Sequence, residues 1–333
     1  MTELEKYIDV CFKDEKISNI AIRVGKKDEI LTDYYRSDDA TLDQNTLFDI
    51  ASVSKMVSTT QLALIALDKG LITLDDKVSK YFEKNSELTI KNLLTHTIGI
   101  GHKNLCVADV TYDNIAEYIL SIPTDIPIGS DVLYSCPALI LMGKILEKVW
   151  GRKLEELFDE FVAKPLDFKR TSYKPIDKTN MVNANETEQE MGVVNDYNCR
   201  FLGGIAGNAG LFSNVCDLEK FCRMLINHGE PLYSKDTFNK AVKNYTEDMS
   251  ESRGLGFIYV DSKLERTGSL FDDGSIGHGG WTGQSVFVDY RTGLYVIILT
   301  DLAKNLQKYH GGVDRKVVNE ILSTICNIIK KSF

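Results

Sequence analysis

A long stretch without charge is the feature that most constrains how this chain can fold. Residues 56–67 contain no Asp, Glu, Lys or Arg. Helical spacing separates Met56, Thr59, Thr60, Ala63 and Leu67, and further apolar residues occupy the other faces. The pattern predicts a helix that is buried on most sides and ends at Gly70. Such a helix needs a large core around it, and 333 residues are enough to build one in one or two lobes.

The charge balance excludes some classes of partner. The chain has 39 basic and 48 acidic residues, a formal net charge of -9, and no basic tract. Nucleic acids and anionic membranes select basic surfaces, so neither is expected as a partner. With 43% hydrophobic and 26% charged residues, the composition is that of a globular protein.

Targeting signals and cofactor motifs are not apparent. The first residues lack the basic start and apolar run of a secretory signal, and no stretch approaches the length of a membrane span. The seven cysteines are dispersed without a C-x-x-C pair, which favours free thiols in a reducing compartment. We therefore expect a cytoplasmic protein. There is no P-loop, G-x-G-x-x-G or H-E-x-x-H, so no cofactor or metal is expected.

The order of predicted elements indicates an α/β fold of the α+β kind. A first helix is followed by predicted strands at residues 20–24 and 30–35, and further strands are predicted at 255–260, 285–289 and 294–300 before a closing helix at 317–329. The middle is mainly helical, with a long ordered loop over 175–210. We predict one domain, 1–333. Residues 1–70 and 251–333 form an antiparallel sheet flanked by the terminal helices, and 71–250 form an inserted, mostly helical lobe. The cleft between the lobes is the expected active site.

Ser52 and Lys55 form the only S-x-x-K in the chain. On a helix they lie one turn apart on the same side, so the amine can take the serine proton. Burial would lower the pKa of Lys55 and make it a better base. Ser52 would also lie at a helix N-terminus, where the dipole favours a developing alkoxide. An exposed Ser and Lys at this spacing would do nothing, but a Lys leading into a chargeless buried helix needs a reason.

Several segments together resemble one known family. FDIASVSK at residues 48–55 is similar to the nucleophile motif of class C β-lactamases and low-molecular-weight penicillin-binding proteins. LLTHTIG at 93–99, PIG at 127–129 with YSC at 134–136, LGGIAGNAGLFS at 202–213 and GHGGWTG at 277–283 follow in that family's order. The chain thus resembles serine β-lactamase-like proteins, including the carboxylesterases of that type. The resemblance implies the β-lactamase/transpeptidase fold.

The resemblance also implies roles for individual residues. Ser52 would attack a carbonyl and form an acyl-enzyme, while Lys55 and the phenol of Tyr134 exchange the proton; either could be the base. The backbone N–H groups of Ser52 and Trp281 would form the oxyanion hole. Substrate or oxyanion contacts would come from His278, which stands where the family often has Lys, and from Gly280, Trp281 and Cys136. Trp281 either lines the acyl pocket or is a packed aromatic.

Cys136 departs from the family pattern because it replaces the usual Asn of Y-x-N. A thiol donates and accepts hydrogen bonds only weakly. We therefore expect an esterase or peptidase-like hydrolase of small-molecule or short-peptide substrates, with weak β-lactamase activity. The alternative is a non-catalytic or slowly acylating module of the penicillin-binding type, which the same fold would support. The oligomeric state is not indicated.

Other constellations are weaker. Tyr112-Asp113-Asn114 is a literal Y-x-N and Arg266-Thr267-Gly268 resembles K-T-G, but each lacks the expected flanking elements. His96, His102 and Cys106 do not have a standard zinc spacing. A thiol–imidazole pair of Cys136 with His278 would leave Ser52 and Lys55 unexplained.

Overall fold

The computed structural model describes residues 1–38, 40–84 and 86–332. The strands within these residues are β1 (Asn19–Lys26), β2 (Glu29–Ser37), β3 (Phe48–Asp49), β4 (Ser172–Tyr173), β5 (Leu211–Ser213), β6 (Ile258–Tyr259), β7 (Ile276–Gly279), β8 (Ser285–Asp289) and β9 (Leu294–Thr300). Strands from both ends of the chain form a six-stranded antiparallel sheet in the order β2-β1-β9-β8-β7-β6. A three-stranded sheet has the order β3-β5-β4. The predicted combination of antiparallel strands and many helices is confirmed.

Helices account for most of the rest of the described chain. They are α1 (Glu3–Lys13), α2 (Gln61–Asp68), α3 (Ile90–Leu94), α4 (Ile115–Ile119), α5 (Cys136–Trp150), α6 (Leu154–Phe158), α7 (Tyr197–Phe201), α8 (Val215–Ile226), α9 (Lys235–Ala241), α10 (Leu302–Tyr309) and α11 (Arg315–Lys330). Short π-helical turns cover Lys55–Thr60 and Asp159–Ala163, and 3-10 turns cover Val78–Lys80 and Glu188–Glu190. None of the helices in the described residues is long and apolar enough to cross a membrane.

The large sheet has a hydrophobic core on each face. On one face, Ile8 of α1 and Ile325 of α11 join Ile22 of β1 in a single buried cluster. On the other face, Ile297 of β9 belongs to a larger cluster that includes α2, α5 and α8. The terminal helices therefore cover one face of the sheet, as the sequence predicts. The division into lobes at residues 70 and 251 stays a prediction.

The chargeless segment is the centre of the larger core. Every residue from Lys55 to Ala66 is buried. Its first part is a π-helical turn rather than an α-helix, and the chain becomes α-helical only at Gln61. Single π-helical turns are frequent at functional sites. This turn begins at Lys55, one of the predicted catalytic residues.

Two sequence predictions differ from the structure. The segment 175–210 is not irregular throughout, because Asp196 accepts a hydrogen bond from the backbone N–H of Cys199 and caps the one-turn helix α7. The predicted strand at 255–260 is reduced to β6. Gly256 has φ +74°, and a Cβ there would lie 2.0 Å from Oγ1 of Thr60, so the backbone packs closely against the buried helix instead of continuing as a strand.

Candidate active site

A strained turn presents Ser52 at the start of the buried helix. Strand β3 ends at Asp49, and Ala51 has φ +46°, a left-handed conformation that is uncommon without glycine. The Asp49 carboxylate accepts a hydrogen bond from the Ala51 N–H at 2.8 Å. Strained backbone of this kind clusters at active sites. The turn leaves Ser52 9% exposed, at the bottom of a crevice.

The structure brings Ser52, Lys55 and Tyr134 together. Lys55 Nζ donates to Ser52 Oγ at 2.9 Å, and the Tyr134 hydroxyl donates to the same oxygen at 2.7 Å. Lys55 Nζ also lies 5.0 Å from the centroid of the Tyr134 ring. Two groups that can exchange protons therefore lie within hydrogen-bond distance of one serine oxygen, the separation at which a base can activate a nucleophile.

Lys55 is buried but keeps its charge. Its ammonium also donates to the backbone oxygen of Asn208 at 2.8 Å and to Cys136 Sγ at 3.6 Å, so its three N–H groups all have acceptors. Burial alone would lower the pKa of Lys55, but the negative charge that Cys136, Tyr134 and Asp196 can carry outweighs burial and raises the pKa. The prediction that burial lowers the pKa of Lys55 is therefore wrong, because the sequence does not reveal these neighbours.

Glycines let the chain reach Lys55 from the other side. A Cβ at Gly207 would lie 1.9 Å from the carbonyl oxygen of Leu139 in α5. The absence of a side chain therefore allows residues 207–208 to pack against α5, where the Asn208 carbonyl accepts from Lys55. This is the physical reason for glycine in the segment LGGIAGNAGLFS.

His96 positions Tyr134 from behind. Its Nδ1 accepts a hydrogen bond from the Ser135 N–H at 3.0 Å, and its ring lies 4.9 Å from the Tyr134 ring. Burial, together with the charges of Arg253 and Lys55, holds the pKa of His96 well below its ordinary value, so the ring is neutral and can accept. The segment LLTHTIG thus supports Tyr134, one of the predicted catalytic residues.

Cys136 is not arranged as a nucleophile. It begins α5, is 2% exposed, and contacts Lys55. Burial raises the pKa of its thiol. The ring of His278 does not pair with it, since His278 Nδ1 bonds to the backbone oxygen of Gly279 at 2.7 Å. The described contacts therefore do not contain the alternative thiol–imidazole pair.

Strand β7 and the turn after it form the opposite wall. The His278 ring lies 6.2 Å from the Tyr134 ring, and its buried Nε2 has no partner among the described residues. Burial and the nearby charges of Lys55 and Arg253 hold the pKa of His278 well below its ordinary value, so it is neutral. A lysine at this position would instead bring a positive charge to the wall.

The predicted oxyanion residues differ in whether their backbone N–H groups are already hydrogen-bonded. The Gly280 N–H is bonded to the Gln284 oxygen at 2.8 Å and is not free for a substrate. The N–H groups of Ser52 and Trp281 donate to no other group in the described chain. Gly280 instead permits a close approach, because a Cβ there would lie 3.0 Å from the Ile50 oxygen. The predicted oxyanion pair stays available, whereas Gly280 contributes by its lack of a side chain.

A cavity of about 640 Å³ opens over these groups. Ser52, Tyr134 and Cys136 lie in its wall, and Trp281, which is 44% exposed, forms part of its rim. The Arg315 guanidinium lies 5.7 Å from the centroid of the Trp281 ring. Trp281 therefore lines the cavity and is not a packed core aromatic.

Two buried arginines line the cavity and were not expected from the sequence. Arg266 is 6% exposed, and within the described chain it donates to neutral acceptors alone, the Gln284 oxygen at 2.9 Å and Asn319 Oδ1 at 3.3 Å. Burial and the charge of Arg315 lower the pKa of Arg266 to about 10, so it remains a cation. Arg253 is ion-paired with Glu251, but its buried Nε has no partner in the described chain. The sequence could have pointed to Arg266 through the triplet Arg266-Thr267-Gly268. That triplet was considered only as a possible K-T-G motif, so the position of Arg266 at the cavity was not predicted.

The remaining sequence candidates make no hydrogen bond to Ser52, Lys55 or Tyr134 in the described chain, although His102 lines the cavity. The Tyr112 hydroxyl donates to Glu147 Oε1 at 2.7 Å and does not line the cavity. His102 Nε2 bonds to the Tyr197 hydroxyl at 2.8 Å, and Cys106 Sγ contacts the Tyr197 oxygen. Across the described ranges, no group of three or more His, Cys, Asp or Glu residues is placed to hold a metal ion.

Comparison with known proteins gives a consistent result. The profile of the beta-lactamase family matches residues 4–316. The protein named "Putative D-alanyl-D-alanine carboxypeptidase" of Escherichia coli O157:H7 is 28% identical over 304 residues, which are 77% of this chain and 69% of that protein.

Solved structures agree on the fold. EstCE1, a hydrolase with promiscuous acyltransferase activity, superposes with a TM-score of 0.76 at 19% identity over 96% of this chain and 97% of that one. The octameric penicillin-binding protein homologue from Pyrococcus abyssi gives 0.73 at 20% identity over 90% and 73%. The profile match spans nearly the whole chain, and the protein therefore belongs to the beta-lactamase family, a family of serine hydrolases.

Proposed function

We propose that this protein is a carboxypeptidase-type serine hydrolase that forms an acyl-enzyme on Ser52. Its substrates would be short peptides or esters that carry a free carboxylate beside the scissile bond. The observation that carries the proposal is the pair of contacts on Ser52 Oγ, from Lys55 at 2.9 Å and Tyr134 at 2.7 Å, inside the cavity that Arg266 lines.

The contacts suggest how the proton moves. As Ser52 Oγ attacks the carbonyl carbon, its proton passes to the Tyr134 oxygen while the phenol gives its own proton to the leaving group. Because Lys55 holds its proton at neutral pH, its ammonium stabilises the charge that develops on the serine oxygen. The free N–H groups of Ser52 and Trp281 stabilise the carbonyl oxyanion, and losing one such donor costs about 2.7–4 kcal/mol. Water then releases the acyl group by the reverse transfer.

We infer a carboxylate on the substrate from the positive charge of Arg266, which has no negatively charged partner in the described chain. Relatives often place a lysine where this chain has the neutral His278, so that cation is missing from β7. Arg266 supplies one in the same cavity, buried and without a carboxylate partner in the described chain. A buried charge without a partner is costly, and arginine binds carboxylates through two parallel hydrogen bonds. A C-terminal carboxylate would complete this arrangement, and the E. coli relative is named for an activity on such a terminus.

Esterase activity is the second candidate, and Cys136 favours it. The thiol offers no strong donor or acceptor to a substrate amide, whereas an ester needs less recognition of that kind. For the same reason we expect slow turnover of β-lactams. A slowly acylating binding module is the remaining alternative.

A four-substrate panel on wild type and Ser52→Ala tests the proposal. The substrates are a short peptide ending in D-alanyl-D-alanine, the same peptide with an amidated C-terminus, a short-chain nitrophenyl ester and a chromogenic cephalosporin. We expect the free-carboxylate peptide to be preferred over its amide, the cephalosporin to be slow, and Ser52→Ala to lose all turnover. Turnover of the ester alone would favour an esterase, and a persistent adduct without turnover a binding module. Equal rates for both proteins would contradict the proposal.

A further inference from the structure

Asp49 connects the walls of the active site although it does not face the cavity. It ends β3, three residues before Ser52, and its side chain is 1% exposed. One carboxylate oxygen accepts the Ala51 N–H at 2.8 Å and the other accepts the Asn195 N–H at 2.6 Å. The first contact lies in the nucleophile turn, and the second in the loop that carries the pocket residues Asn195 and Tyr197.

The backbone of the same residue holds the third wall. The Asp49 carbonyl oxygen accepts Gln284 Nε2 at 2.8 Å and the Thr282 hydroxyl at 3.3 Å. Both donors follow Trp281, whose N–H is one of the two predicted oxyanion donors. One residue thus ties together the turn before Ser52, the loop before α7 and the turn after β7.

The hydrogen bond from Ala51 to Asp49 helps to hold the backbone of the turn before Ser52 in its conformation. Ala51 is held at φ +46°, where a residue with a side chain is strained. Such a conformation persists only when surrounding contacts fix it, and the Asp49 carboxylate bonds the N–H of that residue directly. The position of Ser52 Oγ relative to Lys55 and Tyr134 depends on this turn.

Folding stability does not explain why a carboxylate occupies position 49. Burial raises the pKa of Asp49 to about 6, and the negative charge of Asp196 raises it further. The hydrogen bonds from the N–H groups of Asn195 and Ala51 lower this pKa, as does the positive charge of Arg200. The Cys199 thiol also interacts with this carboxylate. Because the folded pKa exceeds the ordinary value of 3.8, the group favours the folded state when protonated, and this contribution is lost as the pH rises from about 3.8 to about 6. At neutral pH the charge costs folding stability, and no Lys or Arg in the described chain pairs with it.

We propose that Asp49 is a positioning residue that clamps the nucleophile turn to the Asn195 loop through its two carboxylate oxygens. The inference rests on Ser52 being the nucleophile. In Asp49→Asn one oxygen is replaced by an NH₂ group, which cannot accept, so one of the two N–H groups loses its partner. Ser52 then loses its alignment while the fold remains.

A matched control exists in the same chain. Asp301 is also 1% exposed, accepts the N–H groups of Ser18 and Asn19 at 3.0 Å each, and has a pKa raised by burial. It does not line the cavity. Asp301→Asn therefore makes the same chemical change to an equally buried carboxylate away from Ser52.

The test is the rate at which a fluorophosphonate labels Ser52, measured against pH together with the melting temperature. We expect Asp49→Asn to label about 10²-fold more slowly, because a displacement of about 1 Å costs about that factor. Its melting temperature should be close to that of wild type, and Asp301→Asn should label normally. The wild-type rate should also fall as the pH drops through about 6, and Asp49→Asn should lack this fall.

Each outcome decides a separate point. If wild type is labelled and Asp49→Asn is labelled equally fast, the clamp is contradicted and the proposed function stands. If wild type is not labelled at Ser52, the proposed function fails. Should Asp49→Asn not fold, the wild-type profile decides: a fall through about pH 6 supports the clamp, and a rate that is constant across that pH overturns it.

Discussion

Two buried arginines in this molecule have opposite surroundings. Arg23 in β1 is 2% exposed and is fully paired, with two hydrogen bonds of 2.9 Å to Asp33 and one of 2.8 Å to Glu219. Arg266 at the cavity is 6% exposed, and its acceptors among the described residues are one backbone oxygen and one amide oxygen. The residue type and the burial are the same, so the difference lies in what the surroundings supply.

The contrast extends from these residues to their regions. Around Arg23 the hydroxyl of Tyr35 and the amide of Gln44 supply further acceptors. Around the cavity, buried atoms such as Arg253 Nε and His278 Nε2 lack partners in the described chain. Where the protein itself supplies partners for its buried charges, those contacts stabilise the fold. Buried donors and acceptors without partners beside a proposed nucleophile are instead free to bind a substrate.

The largest expected effect comes from removing the proposed nucleophile beside the unpartnered atoms of the cavity. Ser52→Ala should lower kcat/KM by more than about 10³-fold, because no other group can form the acyl-enzyme. Ser58→Ala is the control, since Ser58 lies in the same buried segment and bonds to Tyr173 rather than to the cavity groups. Steady-state rates and thermal unfolding of both variants separate the effects: the control should lose stability and keep activity. Activity of Ser52→Ala close to that of wild type would contradict the role assigned to the cavity groups.

Tyr134→Phe comes next in size. We expect kcat to fall about 10²–10⁴-fold, the usual contribution of a positioned acid or base. The matched variant is Tyr112→Phe, which removes a phenol that bonds to Glu147 outside the cavity and should leave kcat unchanged. Single-turnover acylation rates measure both. A normal rate in Tyr134→Phe would leave Lys55 as the only base in reach.

The two arginines themselves give a reciprocal pair of variants. Arg23→Gln removes the cation that Asp33 and Glu219 share, while Glu219 keeps its contact with Arg223. It should lower the free energy of unfolding by about 1.5–3 kcal/mol while KM stays constant. Arg266→Gln should raise KM for the free-carboxylate peptide by roughly 10–10²-fold, as expected from losing about 1.5–3 kcal/mol of charged hydrogen bonding. Its stability should be unchanged or higher, because a buried unpaired charge is removed. Denaturant unfolding and KM for the peptide and its amide are the measurements, and the same pattern in both variants would show that the contrast has no functional meaning.

Cys136→Asn has the smallest expected effect. It restores the amide that the Y-x-N motif usually carries beside Lys55. One added neutral hydrogen bond to a substrate amide contributes about 1 kcal/mol, so cephalosporin turnover should rise roughly fivefold while ester hydrolysis changes little. A decrease in cephalosporin turnover would mean that the thiol itself assists Lys55.

The sequence was informative where the chemistry is local. Ser52 and Lys55 lie one helical turn apart, and the motif around Tyr134 identified the third group, so the three residues could be predicted to meet before their distances were known. The antiparallel sheet and the covering helices α1 and α11 were predictable from their periodic patterns for the same reason.

What the sequence could not supply depends on contacts across the chain. The pKa of Lys55 is raised by Cys136, Tyr134 and Asp196, which are distant in sequence, so burial alone gave the wrong sign. Arg266 reaches the cavity only because Gly279 has no side chain, since a Cβ there would lie 2.1 Å from its guanidinium. The roles of Asp49 and Asn208 depend on loops that no periodic pattern places.

Peptide mapping after covalent labelling locates the residue that becomes acylated. Wild-type protein treated with a fluorophosphonate or a slowly released β-lactam is digested and the modified residue is located by mass spectrometry. We expect one adduct, on Ser52, and none on Ser52→Ala under the same conditions. An adduct on Cys136, or equal labelling of Ser52→Ala, would contradict it.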